Sequence, residues 1–193
     1  DIMNSGTPIV LFDRVADGIN CDKVVVDDFD SAYDATSHLI KLGSKKIALL
    51  STIHNLSVGK LRLEGYKKAL SDANMSIDEK LIILETSIED FDVKLQELIS
   101  SKKMDAIFAL DEHSSTMTMR MALKQGIKIP EELNIIGFAD GVWSRRLTPS
   151  LSTVSQHAPE IGAKAAELLI HKLNSKDEFY QPQTVVIKTE LRQ

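Results

Sequence analysis

Cysteine is almost absent from this 193-residue sequence, and that absence limits the kinds of protein it can be. The single cysteine, Cys21, cannot form an internal disulfide and excludes a multi-cysteine zinc site. No apolar run approaches the ~20 residues that a membrane helix requires. Residues 1–4 lack the basic and apolar stretches of a signal peptide. We therefore expect no membrane span, no signal peptide and no metal centre.

Basic residues are also outnumbered. The sequence has 23 Lys and Arg against 28 Asp and Glu, a net charge of -5 and a pI near 5.6. Neutralising phosphates requires clustered basic residues, so this chain is not expected to bind nucleic acid by itself. The acids concentrate in residues 1–34, where eight acids and two bases leave a net charge of -6. Either these acids form a solvated surface, or some of them end strands and bind a ligand.

Hydrophobic periodicity predicts alternating strands and helices. Strands are expected at 9–12, 24–26, 47–50, 81–84, 106–110, 135–138, 151–154 and 184–187, and helices at 31–42, 60–73, 90–101, 114–125 and 159–173. Strands that are apolar throughout, alternating with amphipathic helices, predict a parallel sheet covered on both faces. Residues 29–138 should therefore form a doubly wound α/β unit. The strands at 9–12 and 24–26 have no helix between them and need partners from outside the first 30 residues.

Acidic and polar side chains follow most of the predicted strands, where open α/β sheets bind ligands. The strand ends are Asp13-Arg14, Asp27-Asp28, Ser51-Thr52, Glu85-Thr86, Asp111-Glu112 and Ala139-Asp140. No glycine-rich phosphate loop accompanies them, so a neutral polyol suits this set better than a nucleotide. Trp143 could stack on such a ligand. The alternative for each acid is a helix cap, which we favour for Asp27, Asp28 and Glu112, whereas ligand binding is favoured for Asp13, Asp111 and Asp140.

Nine short sequence blocks resemble those of LacI/GalR-type transcriptional regulators. They are PIVLFDR at 8–14, VDD at 26–28, RLEGY at 62–66, DAIFA at 105–109, IPEEL at 129–133, IIGF at 135–138, TPSLSTVSQ at 148–156, EIG at 160–162 and AA at 165–166. The block at 148–156 is the most specific. All of them follow the family's order and spacing and cover essentially the whole chain.

The resemblance implies an α/β fold of the type I periplasmic-binding-protein-like class, with doubly wound parallel sheets. Two subdomains joined by three crossovers would hold an effector in the cleft between them. Residues 1–28 and 156–177 would form an incomplete N-terminal subdomain, and residues 29–155 and 178–193 the C-terminal subdomain. The helix-turn-helix head that binds DNA is absent, so a fragment of a longer regulator is expected.

The family's effector contacts correspond to positions in this sequence. They are Asp13, Arg62, Asp111, Gln156 and, one residue later than the family's usual acid at the Ala139 position, Asp140. With Trp143, these are the predicted effector-binding residues. No catalytic residue and no cofactor is expected.

The favoured hypothesis is a cytoplasmic ligand-sensing domain that binds a sugar or a sugar derivative. Operator DNA would be bound through the absent head. A homodimer is expected. The last predicted helix, at 159–173, and the methionine-bearing helix at 114–125 are the candidates for its interface. The alternative is an extracytoplasmic sugar-binding protein of an uptake system. A flavodoxin-like hydrolase is disfavoured because no nucleophile and base stand at a usable spacing.

Overall fold

The computed structural model of the chain describes residues 7–16, 18–141, 146–175 and 180–193. The elements in chain order are β1 Val10–Phe12, β2 Asp22–Val26, α1 Asp28–Lys41, β3 Ile47–Ser51, α2 Ser57–Asp72, β4 Ile82–Leu84, α3 Ile88–Ser101, β5 Ala106–Ala109, α4 Glu112–Lys124, β6 Asn134–Phe138, β7 Ser152–Ser155, α5 Ala158–Asn174, β8 Thr184–Ile187 and β9 Glu190–Arg192. A short 3-10 helix, Glu79–Leu81, precedes β4. In the part of the chain that the structure describes, no helix has the length and apolar character needed to cross a membrane.

The chain divides into two compact units. Unit 1 consists of Asp1–Asp27 and Gln156–Thr189, and unit 2 of Asp28–Ser155 and Glu190–Gln193. The polypeptide therefore passes from one unit to the other three times. Parallel sheets with helices between the strands confirm the predicted α/β fold class.

Unit 1 is built on a three-stranded parallel sheet in the order β1-β2-β8. Helix α5 packs on this sheet, and its Ile161 and Leu168 are buried with Val24 and Val26 of β2. β1 and β2 therefore pair with each other, and the further partner of β2 comes from near the end of the chain. β8 is thus the partner from outside the first 30 residues that the sequence predicted.

The sequence-based assignment of 178–193 to the second subdomain is wrong for β8. Val185 pairs with Val24 of β2, so this strand belongs to unit 1. The third passage between the units falls at Thr189–Glu190, later than predicted. A short apolar run indicates a strand, but the hydrogen bonds that decide its sheet are non-local.

Unit 2 holds a six-stranded sheet in the order β4-β3-β5-β6-β7-β9. Its first five strands are parallel, and β9, which was not predicted, pairs antiparallel with β7 through Leu191 and Val154. All five residues of β3 are buried, as expected for a strand covered on both faces. The apolar core on one face is formed with α1 and α2 and that on the other with α3 and α4.

All five helices begin earlier than their patterns predicted, α1 by three residues and α4 by two. The Ser31 hydroxyl donates to the carbonyl oxygen of Asp28 at 3.1 Å within the first turn of α1. Helix α4 begins at Glu112, because Asp111 is its N-cap. Serine favours caps, but its hydroxyl also bonds to a carbonyl inside a helix.

Glycine at position 65 allows α1 and α2 to pack closely. A Cβ atom at Gly65 would lie 2.3 Å from the carbonyl oxygen of Phe29 and 3.0 Å from the backbone nitrogen of Tyr33. Only a residue without a side chain fits this approach. The contact places the first turn of α1 beside the second turn of α2, which carries a predicted site residue.

Candidate functional site

The carboxyl ends of β3, β5 and β6 lie side by side in unit 2, because these three strands are parallel neighbours. The residues that follow them are Thr52, Leu110-Asp111 and Ala139-Asp140. Strand β7, the next neighbour, ends at Ser155. We call this set of strand ends the polar edge of unit 2. It brings together Arg62, Asp111 and Asp140, three of the predicted effector-binding residues.

Arg62, in the second turn of α2, is held by protein groups on several sides. Its Nε donates to Oδ1 of Asp28 at 2.7 Å, and its Nη1 donates to the carbonyl oxygen of Leu110 at 2.6 Å. The guanidinium carbon lies 3.6 Å from the centre of the Phe138 ring. Arg62 is 2% exposed and Asp28 is 3% exposed, so this is a buried ion pair. Any ligand contact of Arg62 would use a guanidinium whose position these groups fix.

Asp111 is both a helix cap and a connection between strand ends. Its Oδ1 accepts a hydrogen bond from the backbone N–H of Ser114 at 2.8 Å, which closes the first turn of α4. The backbone N–H of Thr52 donates to Oδ2 at 2.8 Å, and the Thr52 hydroxyl to Oδ1 at 3.1 Å. The cap role that the sequence analysis favoured for Glu112 is therefore performed by Asp111. A ligand hydroxyl at Asp111 would share oxygens that already accept hydrogen bonds.

Asp140 connects the ends of β6, β7 and β9. Its Oδ1 accepts a hydrogen bond from the Ser155 hydroxyl and lies 3.8 Å from Nη1 of Arg192. Arg192 also donates from Nε to Glu190 at 2.9 Å. The carboxylate thus lies at the polar edge, one residue after Ala139, and is partly accessible.

The remaining predicted residues lie elsewhere in the chain. Asp13 and Gln156 belong to unit 1. Asp13 follows β1 with a left-handed φ of 58°, which aspartate tolerates better than most residues, and its backbone N–H donates to Val24 at 3.0 Å. Gln156 follows β7 directly and is half-buried. Trp143 lies outside the described residues.

Asp27 directly precedes α1, and its carboxylate binds groups at the end of β8. Its Oδ1 accepts the backbone N–H of Thr189 at 2.8 Å, and its Oδ2 lies 3.1 Å from Nζ of Lys188. Burial raises the pKa of Asp27, but these hydrogen bonds lower it more, so the pKa lies below its usual value. The carboxylate thereby joins β2 to the end of β8 within unit 1.

Three residues at the polar edge or in contact with its side chains were not among the predicted effector contacts. Thr52 and Asp28 follow strands and were noted only as strand ends, and Ser155 was part of a family block. Their roles depend on Asp111, Arg62 and Asp140, which are distant in sequence. The one signal in the sequence that could have identified these residues was their position at or directly after the end of a strand.

The polar edge has the chemical groups needed to bind a hydroxylated small molecule. Carboxylates accept hydrogen bonds from hydroxyls, and the arginine beside them donates. Within the described ranges, no group of three or more His, Cys, Asp and Glu side chains has the arrangement of a metal site.

Polar residues at the strand ends of an open α/β sheet are the arrangement that binds small molecules in folds of this class. The chain belongs to the family of periplasmic binding protein-like domains, which matches residues 36–193. It is 32% identical to the ribose operon repressor of Haemophilus influenzae over 178 residues, which cover 90% of this chain and 53% of that repressor. It is 31% identical to the HTH-type transcriptional repressor PurR of the same species over 182 residues, covering 92% and 53%.

A solved structure supports the same relationship. The transcriptional regulator CelR in complex with cellobiose superimposes with a TM-score of 0.87 at 26% identity, covering 98% of this chain and 59% of that one. The resemblance to LacI/GalR-type regulators is thereby confirmed. The chain spans about half the length of the curated relatives it matches, which is 53% for the two repressors.

Proposed function

We propose that the chain is the ligand-sensing part of a LacI/GalR-type transcriptional regulator. A small hydroxylated molecule, a sugar or a sugar derivative, would bind to it and control the binding of operator DNA by a helix-turn-helix head. The observation that carries this proposal is the polar edge of unit 2, where Arg62, Asp111 and Asp140 come together at parallel strand ends. The relatives named after the ribose operon and bound to cellobiose support a sugar.

The proposed contacts follow from the chemistry of each residue. Asp111 and Asp140 would accept hydrogen bonds from ligand hydroxyls, and Arg62 would donate. Asp13 and Gln156 remain proposed contacts on the basis of the family's pattern, and Trp143 as an aromatic side chain that could stack on the sugar. Ligand binding would act as a coupling free energy between the sensing part and the DNA-binding head, which requires different ligand affinities in two states.

An extracytoplasmic sugar-binding protein is less favoured, because the relatives are named as repressors and regulators. The same names argue against an enzyme. A regulator of this kind would act in the cytoplasm, where operator DNA lies. The coding sequence upstream of Asp1 separates the two functions: a helix-turn-helix supports the regulator, and a signal sequence the uptake protein.

A thermal-shift screen of sugars tests the binding proposal directly. A ligand at 100 times its dissociation constant should stabilise the chain by about 2.7 kcal/mol, which corresponds to roughly 5–10 °C in melting temperature. Ribose and cellobiose are the first sugars to test. Asp13→Ala should abolish the shift, whereas Asp34→Asn, an exposed change on α1, should retain it. An unchanged shift in Asp13→Ala would contradict the placement of Asp13 in the site.

We also propose that the protein is a homodimer. Two helices expose apolar side chains: Ile170 and Leu173 of α5 are 58% and 62% exposed, and Met117 and Met121 of α4 are partly buried at the surface. Light scattering during size-exclusion chromatography should give twice the chain mass. Replacement of Ile170 and Leu173 by Lys should reduce it to one chain mass if α5 forms the interface.

A further inference from the structure

We propose that Asp28 determines the charge preference of the ligand site. By neutralising Arg62, it would make the polar edge of unit 2 select an uncharged hydroxylated ligand over the phosphate ester of the same ligand. This inference rests on the proposed function, because it assumes that a ligand binds at this edge. It adds the class of ligand and the residue that sets it.

The Asp28–Arg62 ion pair has a geometry that cancels the charge of the arginine. Asp28 and Arg62 are buried, and the 2.7 Å contact between them lets one charge cancel the other at short range. Stacking on Phe138 and the hydrogen bond to Leu110 prevent the guanidinium from turning away to meet an anion. A phosphate at Arg62 would either displace Asp28 or lie close to its negative charge.

The groups around the ion pair are mostly carboxylates. Arg192 contacts Glu190 at 2.9 Å and lies 3.8 Å from Asp140. Asp111 adds another carboxylate at the same edge. Carboxylates therefore outnumber arginines among these residues, and each of the two arginines contacts a carboxylate. Hydroxyls can donate to these carboxylates, whereas a phosphate, which only accepts at neutral pH, is repelled.

One feature of the same edge acts in the opposite direction. Helix α2 begins without a side-chain cap at Leu56, and the positive end of a helix dipole favours an anion. We therefore expect a finite discrimination of about tenfold in dissociation constant, the effect of an unfavourable charge at moderate distance. The part of it due to Asp28 should disappear when that charge is removed.

Calorimetric titration of the full chain with matched probes tests this inference. The probes are ribose with ribose 5-phosphate, and cellobiose with its 6-phosphate. The wild type should bind the uncharged sugar at least about tenfold more tightly than its phosphate. Asp28→Asn retains an oxygen that can accept from Arg62 but removes the charge, and it should shift the ratio about tenfold towards the phosphate. Asp34→Asn is the matched control on the same helix and should leave the ratio unchanged.

The double variant Asp28→Asn/Arg62→Gln removes both charges and should restore the wild-type ratio, even where overall affinity falls. It also decides the matter if Asp28→Asn alone does not fold, because it leaves no buried unpaired charge. Equal or tighter binding of the phosphate by the wild type, or equal shifts in Asp28→Asn and Asp34→Asn, would overturn the inference while leaving the proposed function intact. Failure of every probe to bind the wild type would overturn the proposed function, and this inference with it.

Discussion

Replacing Gly65 by alanine tests the close packing of α1 on α2 that positions the Asp28–Arg62 pair. The added Cβ would lie 2.3 Å from the carbonyl oxygen of Phe29, about 1 Å inside an ordinary contact, and 3.0 Å from the Tyr33 nitrogen. Both atoms are backbone, so neither can rotate away. The two helices must move apart, and the ion pair at the next turn must stretch with them.

The expected cost follows from two opposing effects. Overpacking of this kind costs about 1–3 kcal/mol, and a clash with backbone belongs at the upper end. Alanine in place of glycine inside a helix returns about 1 kcal/mol. The net loss of unfolding free energy should be about 2 kcal/mol.

Gly162→Ala provides the matched control, since Gly162 lies in α5 and its Cβ would meet no atom within 4 Å. That variant should gain about 0.5–1 kcal/mol, so the two glycine variants should differ by roughly 3 kcal/mol. Urea denaturation followed by far-ultraviolet circular dichroism measures both. A Gly65→Ala protein as stable as the wild type would refute the close approach of the helices.

Three further predictions concern the acids and their partners. Arg62→Met should cost about 3–5 kcal/mol in urea denaturation because it removes the arginine that compensates the buried charge of Asp28, whereas Arg62→Met/Asp28→Leu should cost less; equal costs would show that the pair is not coupled. Asp111→Ala should cost about 1–3 kcal/mol, because the cap and both Thr52 hydrogen bonds are lost, and Asp111→Asn should cost less, which the same assay checks. Asp27 has a folded-state pKa below its unfolded value, so its stabilisation is present above the unfolded pKa and is lost as pH falls through the folded pKa. Acid titration of stability should therefore be shallower in Asp27→Asn, and an unchanged titration would contradict this.

Most of the α/β organisation could be predicted from periodicity, because buried parallel strands are apolar along their whole length. The run at 47–50 is an example, and all five residues of β3 are buried. Strand β9 could not be predicted in this way. Only one of its three residues is apolar, and it exists because Leu191 pairs with Val154 of β7. The sheet of β8 was mistaken for the same reason: an apolar run does not specify its partner.

For the site, the sequence indicated the positions more reliably than the partners. The sequence singled out residues after strands as a group, and the structure places those that follow β3, β5 and β6 side by side. The helix-cap role was predicted for the wrong acids: Asp111 caps α4, and Asp28 pairs with Arg62. The Asp28–Arg62 pair joins residues 34 positions apart, and no local pattern encodes that contact, whereas Asp111 caps α4 through Ser114, three residues further on.

The amino-acid sequence by itself determined the fold class, the family resemblance and the strand ends that carry acids, because burial periodicity and motif order are local properties of the chain. The tertiary structure alone decided which acid meets which base. A carboxylate at a strand end can cap a helix, pair with an arginine or join two strand ends, and the three are equally compatible with one aspartate in a sequence. The difference is made by helix packing at Gly65, which brings α1 to α2, and by the strand order, which brings Thr52 to Asp111.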